Sequence, residues 1–374
     1  MIIYKTYKYR IYPNETQIIL LSKHFGATRF IWNYFLNLRK QSYLESKKSL
    51  TFYDNSKTLT LLKKEEQYIW LNEIGSQSLE ASLQDLDTAY GMFFKKLSAF
   101  PQFKSKNKCV DSFRCRQFIK FKKNNLVIPK FKEGIKINIH RELVGKICFV
   151  TIIHTPTDKY FASITCEVEH TPLVSVDKYI GIDLGIKDLA VCSDGKIFEN
   201  IKTTKKFAKK LAYEQKQLAK KQKGSNKRQQ QKKRVAIVYE RIRNMRLDNL
   251  HKLTSSMISE NQTIVVEDLN VSGMIKNHNL AKYIADASWY ELCRQLEYKS
   301  KWNARDFVKI DRWFPSSKTC NNCNYINQNL TLKDREWVCP QCNSTLDRDL
   351  NAARNILKQG LMMLSGSGVE SDIK

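Results

Sequence analysis

The chain has 374 residues, 42% of them hydrophobic, and carries 64 Lys and Arg against 37 Asp and Glu, a formal net charge of +27. That length and hydrophobic content support roughly two or three cored domains and exclude a disordered basic tail. The charge attracts polyanions, and its clustering favours nucleic acid over an acidic membrane surface. No stretch approaches the roughly 18 apolar residues of a membrane span, and MIIYKTYKYRIYP alternates where a signal peptide would run continuously apolar, so a cytoplasmic location is expected.

In chain order, Ile2 to Tyr12 reads as a strand, and Asn14 with Gln17 three residues on is a capping-box signature. The helical region that follows places Leu79, Leu83, Leu86, Tyr90, Phe93 and Leu97 at steps of three and four, one apolar stripe suited to a core. From Pro101 to about Glu169, short alternating runs broken by Pro129, Gly134 and Asn pairs indicate a small β-rich unit. The helices therefore read as an insertion between a first strand and the rest of its β-domain. Within that unit Lys104, Lys106, Lys108, Arg114, Arg116, Lys120, Lys122 and Lys123 interleave with Phe103, Phe113, Phe118 and Phe121. Such a pattern offers charges for phosphates and faces for bases, with half of the aromatics expected in the core.

A second unit begins near Tyr179, where KYIGIDLGIKDLAVCSDGKIFEN reads as three strands with turns at Gly185 to Lys187 and at Asp194 and Gly195. Lys202 to Arg234 then holds fourteen Lys or Arg and one acid, Glu214, with Gly224 and Ser225 marking a helix–helix turn. The one-sided charge of Lys205, Lys206, Lys209, Lys210, Lys220, Lys221, Lys227, Arg228, Lys232, Lys233 and Arg234 points to a nucleic-acid-facing surface over an idle solvated pair. QTIVVEDLN is a short β-branched run consistent with a buried strand ending in two acids. A helix over Trp289 to Trp302 and the strand DFVKIDRWF lead to the cysteines.

Of ten cysteines, six are scattered: Cys109, Cys115, Cys148, Cys166, Cys192 and Cys293. The other four form CNNC (Cys320, Cys323) and CPQC (Cys339, Cys342), separated by fifteen residues. Two short knuckles supplying four soft donors suit one tetrahedral, structural zinc ion with no open position. Two disulfides or a redox pair are the alternatives, disfavoured by a cytosolic setting. Three acids complete the chemistry: Asp183 inside IGIDLG, Glu267 ending IVVEDL, and Asp349 opening the helix of DRDLNAARNI. Each alone could be a turn residue, a cap or an ion-pair partner. Together they can converge on one or two divalent metals.

IGIDLGIKDLAV, IVVEDLNVSGM, IDRWFPSSKTC, the two cysteine pairs and DRDLNAARNI, in this order, resemble the RuvC nuclease domain of TnpB, the transposon-encoded RNA-guided DNA endonuclease related to compact type V CRISPR effectors. YKYRIYPN and FPQFKSK resemble that family's wedge domain. The resemblance implies a multidomain α/β protein. A ribonuclease-H-like RuvC domain would span 173–315 and 343–360, with a zinc ribbon inserted at 316–342 as a module binding target nucleic acid. Before it would stand a β-rich wedge domain (1–13 and 101–172) carrying an inserted helical recognition domain (14–100), and a Gly- and Ser-bearing tail, 361–374, would be disordered. Asp183, Glu267 and Asp349 are implied as the catalytic triad for two Mg2+, with Asp349 preferred to Asp347, and one Zn2+ is implied on the four cysteines. The implied partners are a guide RNA from the transposon and target double-stranded DNA. A guided repressor that does not cut and a transposase using the same acids are the alternatives. The intact triad weighs against the first, the zinc ribbon and wedge-like segments against the second.

Overall fold

The N-terminal alternation becomes strand β1 (Ile2–Tyr12), in which Ile3, Tyr7, Tyr9 and Ile11 are buried while Ile2, Tyr4 and Tyr12 face outward. The computed structural model describes residues 1–106, 109–331 and 333–367 and divides into two units, Met1–Glu169 and the part from His170 onward. In the first unit Asn14 caps helix α1 (Glu15–Ser46): its side chain accepts the Gln17 N–H at 2.9 Å, and Gln17 Oε1 accepts the Asn14 N–H at 3.1 Å. Helices α2 (Phe52–Leu62) and α3 (Ser76–Phe94) complete the insertion, with Leu79, Leu83 and Leu86 fully buried in one cluster with Ile31, Phe35 and Leu36. The apolar stripe stops short of the expected Leu97, which is exposed, because α3 ends at Phe94 and Lys96 turns the chain at φ +57°.

Strands β2 (Asp111–Cys115), β3 (Lys120–Lys122), β4 (Asn125–Ile128), β5 (Phe131–Asn138), β6 (Lys146–His154) and β7 (Tyr160–Glu169) join β1 in one antiparallel sheet of order β2-β6-β7-β1-β5-β4-β3. The first strand of the chain thus lies inside the sheet, paired with β7 from Ile2↔Glu169 to Ile11↔Tyr160 and with β5 through Arg10↔Asn138.

The second unit is built on β8 (Tyr179–Asp183), β9 (Asp188–Cys192), β10 (Ile197–Glu199), helices α4 (Thr203–Ala219) and α5 (Asn226–Glu260), then β11 (Thr263–Glu267). Helices α6 (Val271–Met274), α7 (Ala281–Ala287) and α8 (Trp289–Trp302) lead to β12 (Asp306–Ile310), the hairpin β13 (Glu336–Val338) and β14 (Thr345–Asp347), and helix α9 (Arg348–Ser367). The sheet order is β10-β9-β8-β11-β12, with β8, β11 and β12 parallel and β9 antiparallel to β8. Parallel strands require crossovers, which α5 and α8 provide. The basic helix does not end with its charges: α5 runs on to Glu260 and buries Leu250, Leu253, Met257 and Ile258 against Ile182, Ile264, Val266, Leu292 and Leu296.

Strand periodicity sorts the two faces. Ile180, Ile182, Ile264 and Val266 point to the α5/α8 core, while Val265 packs with Ile356 on the α9 face. Gly181 permits the closest approach of α9, since a Cβ there would lie 2.6 Å from Leu357 N; Gly360 does the same from the helix side, where a Cβ would meet Val265 Cγ2 at 2.6 Å.

Two boundaries differ from expectation. Because β14 pairs with β13 through Glu336↔Asp347, residues 345–347 belong with the ribbon and not with the segment after it. Residues 361–367, expected within a disordered tail, continue α9; 368–374 lie outside the described residues. Among the described residues no helix is long and apolar enough to cross a membrane.

Candidate active site and metal centre

Asp183 and Glu267 are the last residues of β8 and β11. Their parallel pairing sets Val266 opposite Ile182, so one step further the two carboxylates stand side by side, on the α9 face by the same alternation that turns Ile182 and Val266 to the core. Helix α9 starts at this pole and carries Asp349 in its first turn. The consequence is electrostatic. The Asp183 carboxyl is pushed up to about 7, first by burial and then by the negative charges of Glu267 and Asp349, against the pull of Arg348 and Arg335. Burial also raises Glu267, opposed by the Ser316 hydroxyl, which donates to Glu267 Oε1. Asp349 accepts Arg335 Nη1 at 3.1 Å, and Arg348 Nε and Nη2 at 3.1 and 3.0 Å. Asp347 is spent locally: its side chain accepts the Leu350 N–H at 2.8 Å and caps the helix.

Asp183 and Asp349 line an open cleft rimmed by Lys187, Lys318, Arg335 and Arg348, a positive border suited to a phosphodiester. The rim was not legible in the sequence. Lys318 and Arg335 belong to the ribbon segment, and only the fold brings them to the acids.

A buried carboxylate that also faces two other acids is a group short of positive charge, so the donor set fits hard, oxygen-seeking divalent cations. The acids are nevertheless not closed into one tight shell, the charge of Asp349 being taken up by two guanidinium groups. Among the described residues, the four cysteines alone form a set of three or more such ligands whose atoms all lie within 4.8 Å of one another. Cys320 and Cys342 Sγ are 3.7 Å apart and Cys323 and Cys339 Sγ 3.5 Å, near the roughly 3.8 Å edge of a tetrahedral zinc–thiolate site. No disulfide joins them, and the cluster could hold zinc.

Each knuckle is built alike. Asn324 and Asn343, directly after the second cysteine of each pair, adopt φ +63° and +56° and donate their N–H to the carbonyls of Cys320 and Cys339 at 2.9 and 2.8 Å. An Asn after each CxxC, tolerant of the left-handed region, was a signal available in the sequence. Asn351 and Asn355 of α9, both 2% exposed, carried no such signal.

The basic candidates divide. Lys205, Lys206, Lys209, Lys210, Lys227, Lys232, Lys233 and Arg234 are exposed on α4 and α5, and Lys220, the C-cap of α4, is exposed as well. Lys221 is half-buried, and Arg228 turns inward, donating to the carbonyls of Leu218 and Lys221 at 2.7 and 2.8 Å and so stapling the interhelical turn. In the first unit Lys106, Arg116, Lys120, Lys122 and Lys123 are exposed. Lys104 instead lies over the Trp32 ring at 3.7 Å, and Arg114 pairs with Asp85. Phe103 and Phe118 are exposed, whereas Phe113 is core and Phe121 half-buried. Lys108 lies outside the described residues.

Comparison with known proteins identifies the family. The OrfB_IS605 family model, described as "Probable transposase", matches residues 163–278, and "Cas12f1-like, TNB domain" matches 289–356. "Putative RNA-guided DNA endonuclease" of Streptomyces pristinaespiralis is 38% identical, covering 96% of this chain and 89% of its own; "Putative RNA-guided DNA endonuclease InsQ" of Escherichia coli K12 is 32% identical over 98% and 95%. The chain belongs to the TnpB family. A "TnpB-like protein" of Acanthamoeba polyphaga mimivirus is 25% identical over 95% of this chain and 73% of that one. The fold resembles the protein of "Cryo-EM structure of the Cas12f1-sgRNA-target DNA complex" at a TM-score of 0.53 and 14% identity, covering 95% of this chain and 98% of that one. The HTH_OrfB_IS605 model, described as "Helix-turn-helix domain", matches residues 1–48, where this chain has strand β1 and the single helix α1.

Proposed function

We propose that this TnpB-family chain is an RNA-guided DNA endonuclease whose Asp183, Glu267 and Asp349 hold two Mg2+ and cut DNA paired to a guide RNA. The observation that carries this reading is the convergence of the three acids on one pole of the β8–β11 sheet, with Asp183 raised first by burial and then by the charges of Glu267 and Asp349. When bound, Mg2+ supplies Lewis acidity at the scissile phosphate and lowers the pKa of water. The chain's own part is to orient its carboxylates and to present Lys187, Lys318, Arg335 and Arg348 to the phosphate backbone.

Sequence choice belongs to base pairing, and the exposed lysines of α4 and α5 suit the backbone of the RNA–DNA duplex. The wedge-like sheet of the first unit and its inserted helices are assigned to a short duplex motif beside the target. The ribbon, with one Zn2+ on Cys320, Cys323, Cys339 and Cys342, is assigned to the target strand. A complete set of acids favours cutting over a guided repressor.

The test is cleavage by protein purified with RNA from its own locus. Reprogramming the guide should redirect Mg2+-dependent cutting, and Asp183→Ala should abolish it while target binding persists. Efficient sequence-specific cutting by RNA-free protein would overturn the proposal.

A further inference from the structure

Between β12 and the first cysteine knuckle, the N–H groups of Ser316, Lys318, Thr319 and Cys320 bond to backbone carbonyls, while the Ser316 and Thr319 carbonyls and the Asn321 N–H are bonded by side chains of α9. Asn355 Nδ2 donates to the carbonyls of Ser316 and Thr319 at 2.8 and 2.6 Å. Asn351 Nδ2 donates to the Thr319 carbonyl at 2.7 Å, and its Oδ1 accepts the Asn321 N–H at 2.9 Å. Spaced i, i+4, the two amides lie on one face of the helix, both buried. Asn is a poor interior helix residue, and a buried amide is costly unless bonded, so the pair is explained by what it holds.

What it holds has two ends. One is Ser316, whose hydroxyl donates to Glu267. The other is Cys320, the first cysteine of the cluster, flanked by Thr319 and Asn321. The helix bearing the clamp also bears Asp349, two residues before Asn351. The ribbon adds a second connection, since Arg335 pairs with Asp349 and Arg348 N–H donates to the Arg335 carbonyl at 2.8 Å.

Resting on the nuclease reading above, we infer that Asn351, Asn355 and Ser316 are positioning residues that tie the cysteine cluster to the carboxylates, so that the ribbon sets the orientation of Glu267 and Asp349 in addition to any contact with nucleic acid. The amides fix the Ser316 backbone, and Ser316 fixes the Glu267 carboxylate. Loss of the clamp should therefore weaken metal binding at the acids without releasing zinc.

The decisive comparison uses the full-length protein–RNA complex and Mn2+ as probe. Asn355→Asp keeps the shape but turns a donor into an acceptor facing two carbonyls. It should retain one zinc equivalent and target binding while needing at least about tenfold more Mn2+ for half-maximal cutting, the usual scale for removing a group that orients a metal ligand. The same loss should appear in direct Mn2+ titration followed by electron paramagnetic resonance. Ser316→Ala should shift Mn2+ dependence in the same direction and Ser316→Thr, which keeps the hydroxyl, should restore it. If Asn355→Asp fails to fold, the Ser316 pair decides. Unchanged Mn2+ dependence in Ser316→Ala, in a complex whose parent cuts normally, overturns the inference. A parent that does not cut indicts the nuclease reading instead.

Discussion

His24 is fully buried with both ring nitrogens engaged: Nδ1 donates to the Leu20 carbonyl at 2.8 Å and Nε2 accepts the Gly75 N–H at 3.2 Å. A second proton would face a donor. Burial accordingly lowers its pKa to about 4, assisted by Lys130 and opposed by the Leu20 carbonyl. A folded value below the unfolded 6.5 means that the unfolded chain binds more protons between them, so this stabilisation is complete above about pH 6.5 and is lost as pH falls toward 4. The loss is on the order of 3 kcal/mol. Proton NMR should show the His24 ring neutral down to pH 5, and urea midpoints of the first unit should fall across that window. A His24 resonance titrating near 6.5 contradicts the assignment. At the same scale, Asp349→Ala should abolish cutting, whereas Asp347→Ala should lose a cap of about 1 kcal/mol and keep most activity. The opposite pattern in a plasmid-cleavage assay would reassign the third ligand. The three acids were legible because each ends an apolar run or opens a helix. Asn351 and Asn355 were not, because their partners lie 30 to 39 residues away and a polar pair at i, i+4 reads as a solvated face.

Among elements, the ribbon is the one a metal on its four cysteines would stabilise most. Its buried cluster is Cys320, Trp337, Cys339 and Leu346, too little apolar surface to order a hairpin alone. Elemental analysis should find one zinc per chain, and Cys320→Ser should lose it along with most cutting. A metal-free ribbon with alkylation-resistant thiols would refute this. Helix α9 makes a different demand. Gly181→Ala should cost about 1–3 kcal/mol by overpacking against Leu357 and should lower cutting, because the helix carries Asp349. Gly91→Ala, where a side chain meets nothing within 4 Å on a helix of ordinary geometry, should be neutral or slightly stabilising in thermal unfolding. The strands and helix starts were readable from periodicity and caps. The reach of α5 beyond Arg234 was not, since its apolar positions are thinly spaced among charges until tertiary packing gathers them.

At the scale of the molecule, the net charge of +27 is sorted by the fold: exposed lysines line α4 and α5, while Lys104, Arg114 and Arg228 are occupied within the protein. Replacing Lys205, Lys206, Lys209 and Lys210 by Gln should flatten the dependence of log affinity on log salt by about 0.9 for each phosphate no longer neutralised. An unchanged slope in filter binding would assign these lysines to solvent. The placement of β1 has a consequence for synthesis. The strand leaves the ribosome well before its partners β5, ending at Asn138, and β7, ending at Glu169. β1 must therefore wait unpaired while the inserted helices are made, a high-contact-order pairing that exposes its edges to neighbouring chains. A polypeptide begun after Tyr12 would not lack a dispensable leader. It would leave β5 and β7 about 10 Å apart across a missing strand, with two raw edges open to aggregation.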